Sequence, residues 1–245
     1  MTGWVAGMSH LNELAGRGGW IFDEAEFVWA RVALDRGAVQ ARLPSGLSAA
    51  RPGTGVVFLA HYPQTTFGSV YSEAGLLIDV RHCGRAAVHC PWMLVDDDVA
   101  LIAGRELLGY PKKIGAFELN FGADHFRGVA TRRGETLLRM TATLHDVDPA
   151  PPPILGQRVV NVRGPIGLVQ RLVVFEPREE VLQARRASVA IEVHGNERDP
   201  LHTFGIGEVL SGHYSRIRIG RRRGPVALRP ISPLFALRNL ALRYT

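Results

Sequence analysis

The sequence predicts a mainly β protein of the α+β class, in which a few helices accompany an antiparallel sheet. Short segments rich in branched and aromatic residues recur along the chain with turn-forming residues between them, and this spacing is typical of antiparallel strands. One segment carries the start and stop signals of a helix. Hydrophobic residues make up 46% of the 245 residues, which is enough to build a substantial core.

The first half of the chain contains most of the predicted strands. The segment Glu26–Leu34 is rich in aromatic and branched residues, which suit the pleated, half-buried surface of a strand. Turn residues separate it from later segments of the same kind. The predicted strands that follow are Val56–Tyr62, Phe67–Tyr71, Leu76–His82 and Ala86–Leu94.

A helix is predicted directly after these strands. The three aspartates of Asp96–Asp98 supply an N-cap and a negative first turn, both of which favour a helix start. We expect the helix to run to about Leu108, because Gly109 and Pro111 are residues that end helices.

The second half of the chain is also rich in predicted strands. These are Ala116–Phe121, Phe126–Arg132 and Leu137–Leu144, with Arg133-Gly134 as a tight hairpin turn. The proline-rich segment Asp148–Pro153 is either a domain boundary or a rigid connection, because proline fixes an extended backbone and donates no hydrogen bond. We favour a rigid connection within a single domain that spans residues 1–245.

The chain carries a net charge of +6, and its densest basic run lies in Arg216–Arg223. Alternation followed by Gly224-Pro225 predicts a strand that ends in a basic turn. A solvated or subunit-facing turn is favoured over a nucleic-acid site, because no recognised binding motif or interleaved aromatic platform accompanies the run.

The composition also predicts a soluble, cytoplasmic protein without a membrane partner. No apolar stretch approaches the roughly 18 residues of a membrane helix, and the N-terminal segment with Trp4, His10 and Glu13 lacks a basic region leading into an apolar one.

Cys83 and Cys90 are the only cysteines, which is too few for a disulfide scaffold. His82-Cys83 and His89-Cys90 form the one repeat of possible zinc ligands. Both pairs lie in predicted neighbouring strands, where adjacent residues face opposite ways, so no metal is expected.

Lys112 and Lys113 are the only lysines in a chain with 29 basic residues. Arginine stays protonated in proteins, whereas a lysine can be made neutral by burial or by a neighbouring cation and can then attack a carbonyl. The pair therefore suggests an imine-forming nucleophile, while a solvated turn remains the alternative.

The segment Gly104–Lys113, with the sequence GRELLGYPKK, closely resembles the signature of the acetoacetate decarboxylase family. The segments Phe22–Leu47, Val56–Glu73 and Asp96–Leu119 also follow that family's pattern. The resemblance implies one cone-like or barrel-like, largely antiparallel sheet. It further implies that Lys112 forms a Schiff base with a keto acid, while Lys113 helps to destabilise the ammonium form of Lys112. Acetoacetate decarboxylase is the standard example of a lysine activated beside another cation.

Three more residues match the family pattern. Glu73 corresponds to its active-site glutamate, which implies a role in polarising the carbinolamine or moving a proton; an exposed strand-end carboxylate is the alternative. Arg105 and Glu106 match the signature, and they either contact the substrate or form an ion pair that organises the helix end.

Two positions depart from the family pattern. Ala25 stands where the family has an arginine that engages the substrate carboxylate, and Leu59 stands at a second glutamate. We expect a more apolar substrate site as a result. His61 is a candidate replacement for the lost polar groups, with a packed strand histidine as the alternative.

The resemblance therefore implies a lyase that acts on a keto acid or related carbonyl compound through an enamine. The departures favour an aldolase-dehydratase or cyclase of secondary metabolism, working without a cofactor and as a homo-oligomer. A true β-keto acid decarboxylase and a catalytically inactive small-ligand-binding barrel are the alternatives.

Overall fold

The computed structural model describes residues 20–156, 158–164 and 170–236. The N-terminal segment with Trp4, His10 and Glu13 lies outside these residues. So do the side chains of Arg221, Arg222 and Arg223 in the basic run. Among the described residues, no helix combines the length and the apolar character that a membrane crossing requires.

Strands dominate the described part of the chain. The strands are β1 (Phe22–Leu34), β2 (Leu47–Ala49), β3 (Thr54–Tyr62), β4 (Gln64–Thr65), β5 (Tyr71–His82), β6 (Arg85–Val95), β7 (Lys112–Ile114), β8 (Ala116–Phe121), β9 (His125–Arg132), β10 (Glu135–Val147), β11 (Val159–Arg163), β12 (Arg171–Val193) and β13 (Ile206–Pro230). The helices are α1 (Arg36–Gln40), α2 (Asp98–Leu108) and a short 3-10 helix, Leu201–Phe204.

These strands form one 13-stranded sheet with the order β11-β6-β5-β3-β1-β13-β12-β10-β9-β8. An additional pairing of β11 with β12 closes the strands from β11 to β12 into a ring, while β10, β9 and β8 extend beyond it. Most pairs are antiparallel, but β6 pairs in parallel with both β7 and β11. The predicted fold class is confirmed, with these parallel pairs as the departure from it.

Two local predictions are wrong. Phe67–Tyr71 is not a strand: the chain turns at Gly68, whose φ is +83°, and β5 begins only at Tyr71. The basic run does not end in a turn at Gly224-Pro225, because β13 continues to Pro230 and pairs with β12 beyond that point. Within this run, Arg218 Nε lies 2.8 Å from Oδ1 of Asp23.

Alternating residues of the strands build two hydrophobic cores. The first core includes Val28 of β1 and Leu59 of β3, together with residues of β9 and β10. The second core includes Phe27 of β1 and Phe58 of β3, and it takes residues from every strand of the ring and from α2. Val28 and Leu59 directly follow Phe27 and Phe58 in the chain, so the two cores lie on opposite faces of these strands, because successive side chains of a strand point to opposite faces.

Helix α2 is fixed at both ends. The side chain of Asp97 accepts a hydrogen bond from Ala100 N at 2.7 Å, which is an N-cap. Gly109 ends the helix with a φ of +70°, and a side chain there would lie 2.7 Å from Val162 O. The buried Asn161 side chain donates to Leu108 O at 3.2 Å. These contacts determine where the chain enters β7.

Candidate active site

The lysine pair forms the first two residues of β7. Lys112 pairs with Met93 of β6, and Lys113 pairs with Leu94. Met93 belongs to the second core and Leu94 to the first. Because neighbouring residues of a strand face opposite ways, the two lysine side chains enter different environments.

Lys112 forms a buried ion pair with Glu73. Its Nζ lies 2.7 Å from Oε2 of Glu73, and each side chain is only 6% exposed. Neither charge reaches bulk water, so each depends on the other for compensation. The carboxylate is also a proton acceptor within hydrogen-bond reach of the amine, which is the geometry that general acid–base chemistry needs.

Tyr62 holds the other oxygen of this carboxylate. Its hydroxyl donates to Oε1 of Glu73 at 3.1 Å, and its ring stacks on Tyr71 with the centroids 4.4 Å apart. Burial, reinforced by the charge of Glu73, raises the pKa values of Tyr62 and Tyr71 well above the ordinary value. Both phenols therefore stay protonated and remain hydrogen-bond donors at neutral pH.

Two tyrosine rings lie beside the lysine nitrogen. Lys112 Nζ is 5.3 Å from the ring centroid of Tyr71 and 5.9 Å from that of Tyr110. Both distances lie within the range in which an aromatic ring attracts a cation. The rings favour a positive charge at Nζ, whether it belongs to an ammonium or to a protonated imine.

Gly104 of α2 makes room for the lysine side chain. A Cβ atom at this position would lie 2.6 Å from Cε and 2.7 Å from Cδ of Lys112. Real Cβ atoms do not approach carbon so closely, so any larger residue would force the lysine to move. The helix and β7 can therefore pack as they do because position 104 has no side chain.

Lys112 and Glu73 lie on the wall of a cavity of about 370 Å³, which is within the usual range for a small-molecule site. Its lining is mostly aromatic and aliphatic. The lining residues are Trp20, Phe22, Tyr62, Phe67, Tyr71, Glu73, Ala100, Ala103, Gly104, Leu107, Leu108, Tyr110, Lys112, Leu155, Phe175, Pro177, Ile219, Gly220 and Pro225. A buried lysine next to a proton acceptor on such a wall has the parts needed for imine chemistry.

Lys113 lies in a separate buried cluster. Its Nζ donates to Arg198 O at 2.5 Å and lies 3.1 Å from Oδ1 of Asp199. Asp199 also binds Arg132 at 2.7 Å. Burial lowers the pKa of Lys113, and the charge of Asp199 opposes this shift. Lys113 does not line the cavity, so the structure does not bring the two predicted catalytic lysines together.

The five predicted substrate-binding residues do not line the cavity either. Ala25 is fully buried in the second core, on the cavity side of β1. Leu59 is fully buried in the first core, so it faces away from the cavity, and the half-buried His61 shares its side of β3. Arg105 is half-buried and Glu106 is exposed near the end of α2.

Sequence reasoning missed the tyrosines and Gly104. Tyr71 stands two residues before Glu73 in the same strand, and Tyr110 stands two residues before Lys112. This spacing places each pair on one face of an extended chain, so strand alternation could have identified these two tyrosines. Tyr62 is found only through its pairing with Tyr71 across β3 and β5.

The possible zinc ligands do not converge. Cys83 is exposed in a turn with a φ of +51°, whereas Cys90 is buried and the ring of His89 bonds to Val160 O at 2.8 Å. Within the described part of the chain, no group of three or more His, Cys, Asp or Glu side chains could hold a metal ion.

A sequence model of the acetoacetate decarboxylase family matches residues 14–226. The chain belongs to the acetoacetate decarboxylase family. Membership confirms the resemblance that the Gly104–Lys113 segment carries.

Individual members of the acetoacetate decarboxylase family show how far the similarity extends. The acetoacetate decarboxylase of Burkholderia vietnamiensis is 34% identical over 107 residues, which is 44% of this chain and 43% of that relative. The chain thus aligns with less than half of the relative's length. An acetoacetate decarboxylase-like enzyme from Sphingomonas wittichii RW1 superposes with a TM-score of 0.75 and 26% identity over 86% of this chain and 92% of that one.

A third similar protein is the enduracididine biosynthesis enzyme MppR. Its structure contains the condensation product of pyruvate and imidazole 4-carboxaldehyde. The superposition has a TM-score of 0.75 and 21% identity, and it covers 88% of this chain and 93% of that one. At this identity the similarity establishes a common fold.

Proposed function

We propose that this chain is a lyase that binds a keto acid or related carbonyl compound as a Schiff base on Lys112 and converts it through an enamine. The observation that carries the proposal is the buried contact of 2.7 Å between Lys112 Nζ and Glu73 Oε2 on the wall of an apolar cavity. Membership of the acetoacetate decarboxylase family supports it. We assign the reaction to the aldolase-dehydratase or cyclase type.

Imine formation needs a proton to leave the lysine and later to reach the departing oxygen. Lys112 passes a proton to the Glu73 carboxylate, and the free amine adds to the carbonyl carbon to form a carbinolamine. Glu73 then returns its proton to the carbinolamine hydroxyl, which leaves as water while the carbon–nitrogen double bond forms. The net change replaces the ammonium by a protonated imine and releases one water.

The protonated imine withdraws electrons from the adjacent carbon. Glu73 removes a proton from that carbon, and the bonding electrons form the enamine. The enamine carbon then attacks an aldehyde, whose oxygen takes the proton from Glu73. Loss of water gives a conjugated product, and hydrolysis of the imine frees Lys112. The two tyrosine rings beside Nζ favour each cationic stage.

Decarboxylation of a β-keto acid is the second candidate, because curated relatives are acetoacetate decarboxylases. In that reaction carbon dioxide leaves the imine and its bonding electrons form the same enamine. Ala25 provides no cation for the substrate carboxylate. Losing a charge-assisted hydrogen bond costs about 1.5 to 3 kcal/mol, or roughly one to two decades in rate. We therefore expect acetoacetate to react slowly.

The Schiff base is tested by trapping with borohydride, which reduces an imine to a stable secondary amine. Because Lys112 and Lys113 are the only lysines, an intact mass spectrum followed by peptide mapping identifies the modified side chain. We expect pyruvate and other carbonyl compounds to modify Lys112 in the wild type and in Lys113→Arg, but not in Lys112→Ala. If the wild type gains no mass with any of them, the proposal fails and a ligand-binding protein without catalysis becomes the better assignment.

A further inference from the structure

We infer that the natural substrate is a planar aromatic or conjugated carbonyl compound, considerably larger than acetoacetate. The inference rests on the proposed function for the covalent step at Lys112, but the binding surface itself does not depend on it. This surface, the aromatic wall, consists of Tyr71, Tyr62, Phe22, Phe67 and Trp20.

The aromatic wall is an unbroken series of ring contacts. Tyr71 stacks on Tyr62 at 4.4 Å between centroids, and Tyr62 contacts Phe22 edge-on at 5.5 Å. Phe22 in turn contacts Phe67 at 5.6 Å, and Phe67 lies 5.4 Å from Trp20. The last three distances are within the range of favourable aromatic pairs, and the stacked pair of Tyr71 and Tyr62 lies at its lower edge.

The wall begins at the reacting group. The Tyr71 ring centroid lies 5.3 Å from Lys112 Nζ, so a carbonyl bound at this nitrogen is next to the stacked pair of Tyr71 and Tyr62. A substituent that extends from the carbonyl along the wall meets ring faces and edges throughout. Planar groups make the largest contact with such a surface.

The size of the cavity leaves room for a substituent of this kind. Its volume of about 370 Å³ lies within the roughly 300 to 1,000 Å³ of sites that bind drug-sized ligands. Acetoacetate or pyruvate would fill only a minor part of it and would leave most of the apolar lining without contacts. A ring system conjugated to the carbonyl would contact more of this lining.

The polar groups of the lining point to the same substrate class. Among the described lining side chains, those with polar atoms besides Lys112 and Glu73 are three tyrosines and Trp20. The Tyr62 hydroxyl is already bonded to Glu73. A hydroxyl-rich compound would lose its hydration without enough partners in exchange, whereas a conjugated carbonyl needs polar contacts only at Lys112.

Conjugation also suits the charge of the intermediate. When an enone or aryl ketone condenses with Lys112, the positive charge of the imine spreads over a planar system. The electron-rich faces of Tyr71 and Tyr62 attract a cation of this shape. A saturated ketone gives a more localised charge and a non-planar substituent.

The wall is tested first without the covalent step. In the Lys112→Ala variant we would measure the dissociation constants of benzylideneacetone and of 4-cyclohexyl-2-butanone, a saturated ketone of similar size, by calorimetry. We expect benzylideneacetone to bind about tenfold more tightly. Phe67→Leu in the same background should remove most of that preference, whereas Val70→Ala, a change at an exposed residue outside the lining, should preserve it. Equal affinity for the two ketones overturns the inference.

Borohydride trapping on the wild type separates this inference from the proposed function. A Lys112 adduct with benzylideneacetone at lower concentrations than with pyruvate or acetoacetate supports both. Adducts that form more readily with the two small keto acids support the Schiff base and overturn the inference. Preferential binding of benzylideneacetone without any adduct overturns the Schiff base and leaves the aromatic site standing.

Discussion

Replacing Gly104 by alanine should disable the lysine without harming the fold. The added Cβ would lie 2.6 Å from Cε, 2.7 Å from Cδ and 3.2 Å from Nζ of Lys112. These atoms belong to the flexible end of a side chain, so they can move aside without displacing the backbone. The ion pair with Glu73 cannot keep its geometry when they move.

The expected loss of reactivity is large and the expected loss of stability is small. Relief of the contact requires the lysine to shift by about 1 Å, because carbon atoms pack at roughly 3.5 Å or more. A misplacement of this size costs about a hundredfold in rate. Gly104 lies inside α2, however, and alanine is favoured over glycine in a helix by about 1 kcal/mol. This preference offsets part of the cost of distorting the buried ion pair, so the free energy of unfolding should fall by less than the roughly 3 to 5 kcal/mol that removing one partner of such a pair costs.

The assay is the initial rate of borohydride-trapped adduct at a fixed concentration of carbonyl compound, combined with urea denaturation. Gly37→Ala is the matched control, because Gly37 lies in helix α1 and its added Cβ would meet only Asp35 Oδ1 at 3.2 Å. We expect this control to react at the wild-type rate. If Gly104→Ala also reacted at the wild-type rate, the position of Lys112 beside Glu73 would not be needed for imine formation.

Three further substitutions test individual contacts. Tyr62→Phe removes the hydrogen bond that holds the Glu73 carboxylate. A hydrogen bond is worth about 0.5 to 1.5 kcal/mol, so the trapping rate should fall by about two- to tenfold. An unchanged rate would contradict a role for this contact. Lys113→Met takes one cation from the buried Asp199, so the free energy of unfolding measured in urea titrations should fall by about 3 kcal/mol. The trapping rate should stay within about a factor of two of the wild-type rate. A tenfold slower rate would show that Lys113 takes part in the reaction. Burial lowers the pKa of His213 below 6.5. On acidification this histidine therefore takes up a proton in the unfolded chain before it does so in the folded protein. The free energy of unfolding should fall below pH 6.5 by at most about 1.4 kcal/mol per pH unit. His213→Gln should flatten this dependence of Tm on pH, and an unchanged slope would refute the assignment.

Local sequence signals predicted most of the regular structure. The predicted strand Glu26–Leu34 lies within β1, and Ala116–Phe121 coincides with β8. The aspartate cap and Gly109 defined α2, because capping and chain reversal depend on residues a few positions apart. The segment Phe67–Tyr71 was assigned incorrectly, because aromatic residues that favour strands here line a cavity at a turn.

The partners in the candidate site were harder to predict from the sequence. The resemblance to the family pointed to Lys112 and Glu73, and the structure places these two side chains in contact. Lys113 was expected to act beside Lys112, but its partner Asp199 lies 86 residues further along the chain. No local pattern connects those two positions.

The sequence by itself determined the strand-rich class, the boundaries of α2 and the singular lysine pair, since propensities, caps and residue identity act over a few neighbouring residues. Only the tertiary structure decided that Tyr62 lies opposite Tyr71 and that Gly104 packs against Lys112. Strand register and helix packing are set by the burial of many distant side chains together. The contents of the cavity wall therefore depend on how the ring of strands closes.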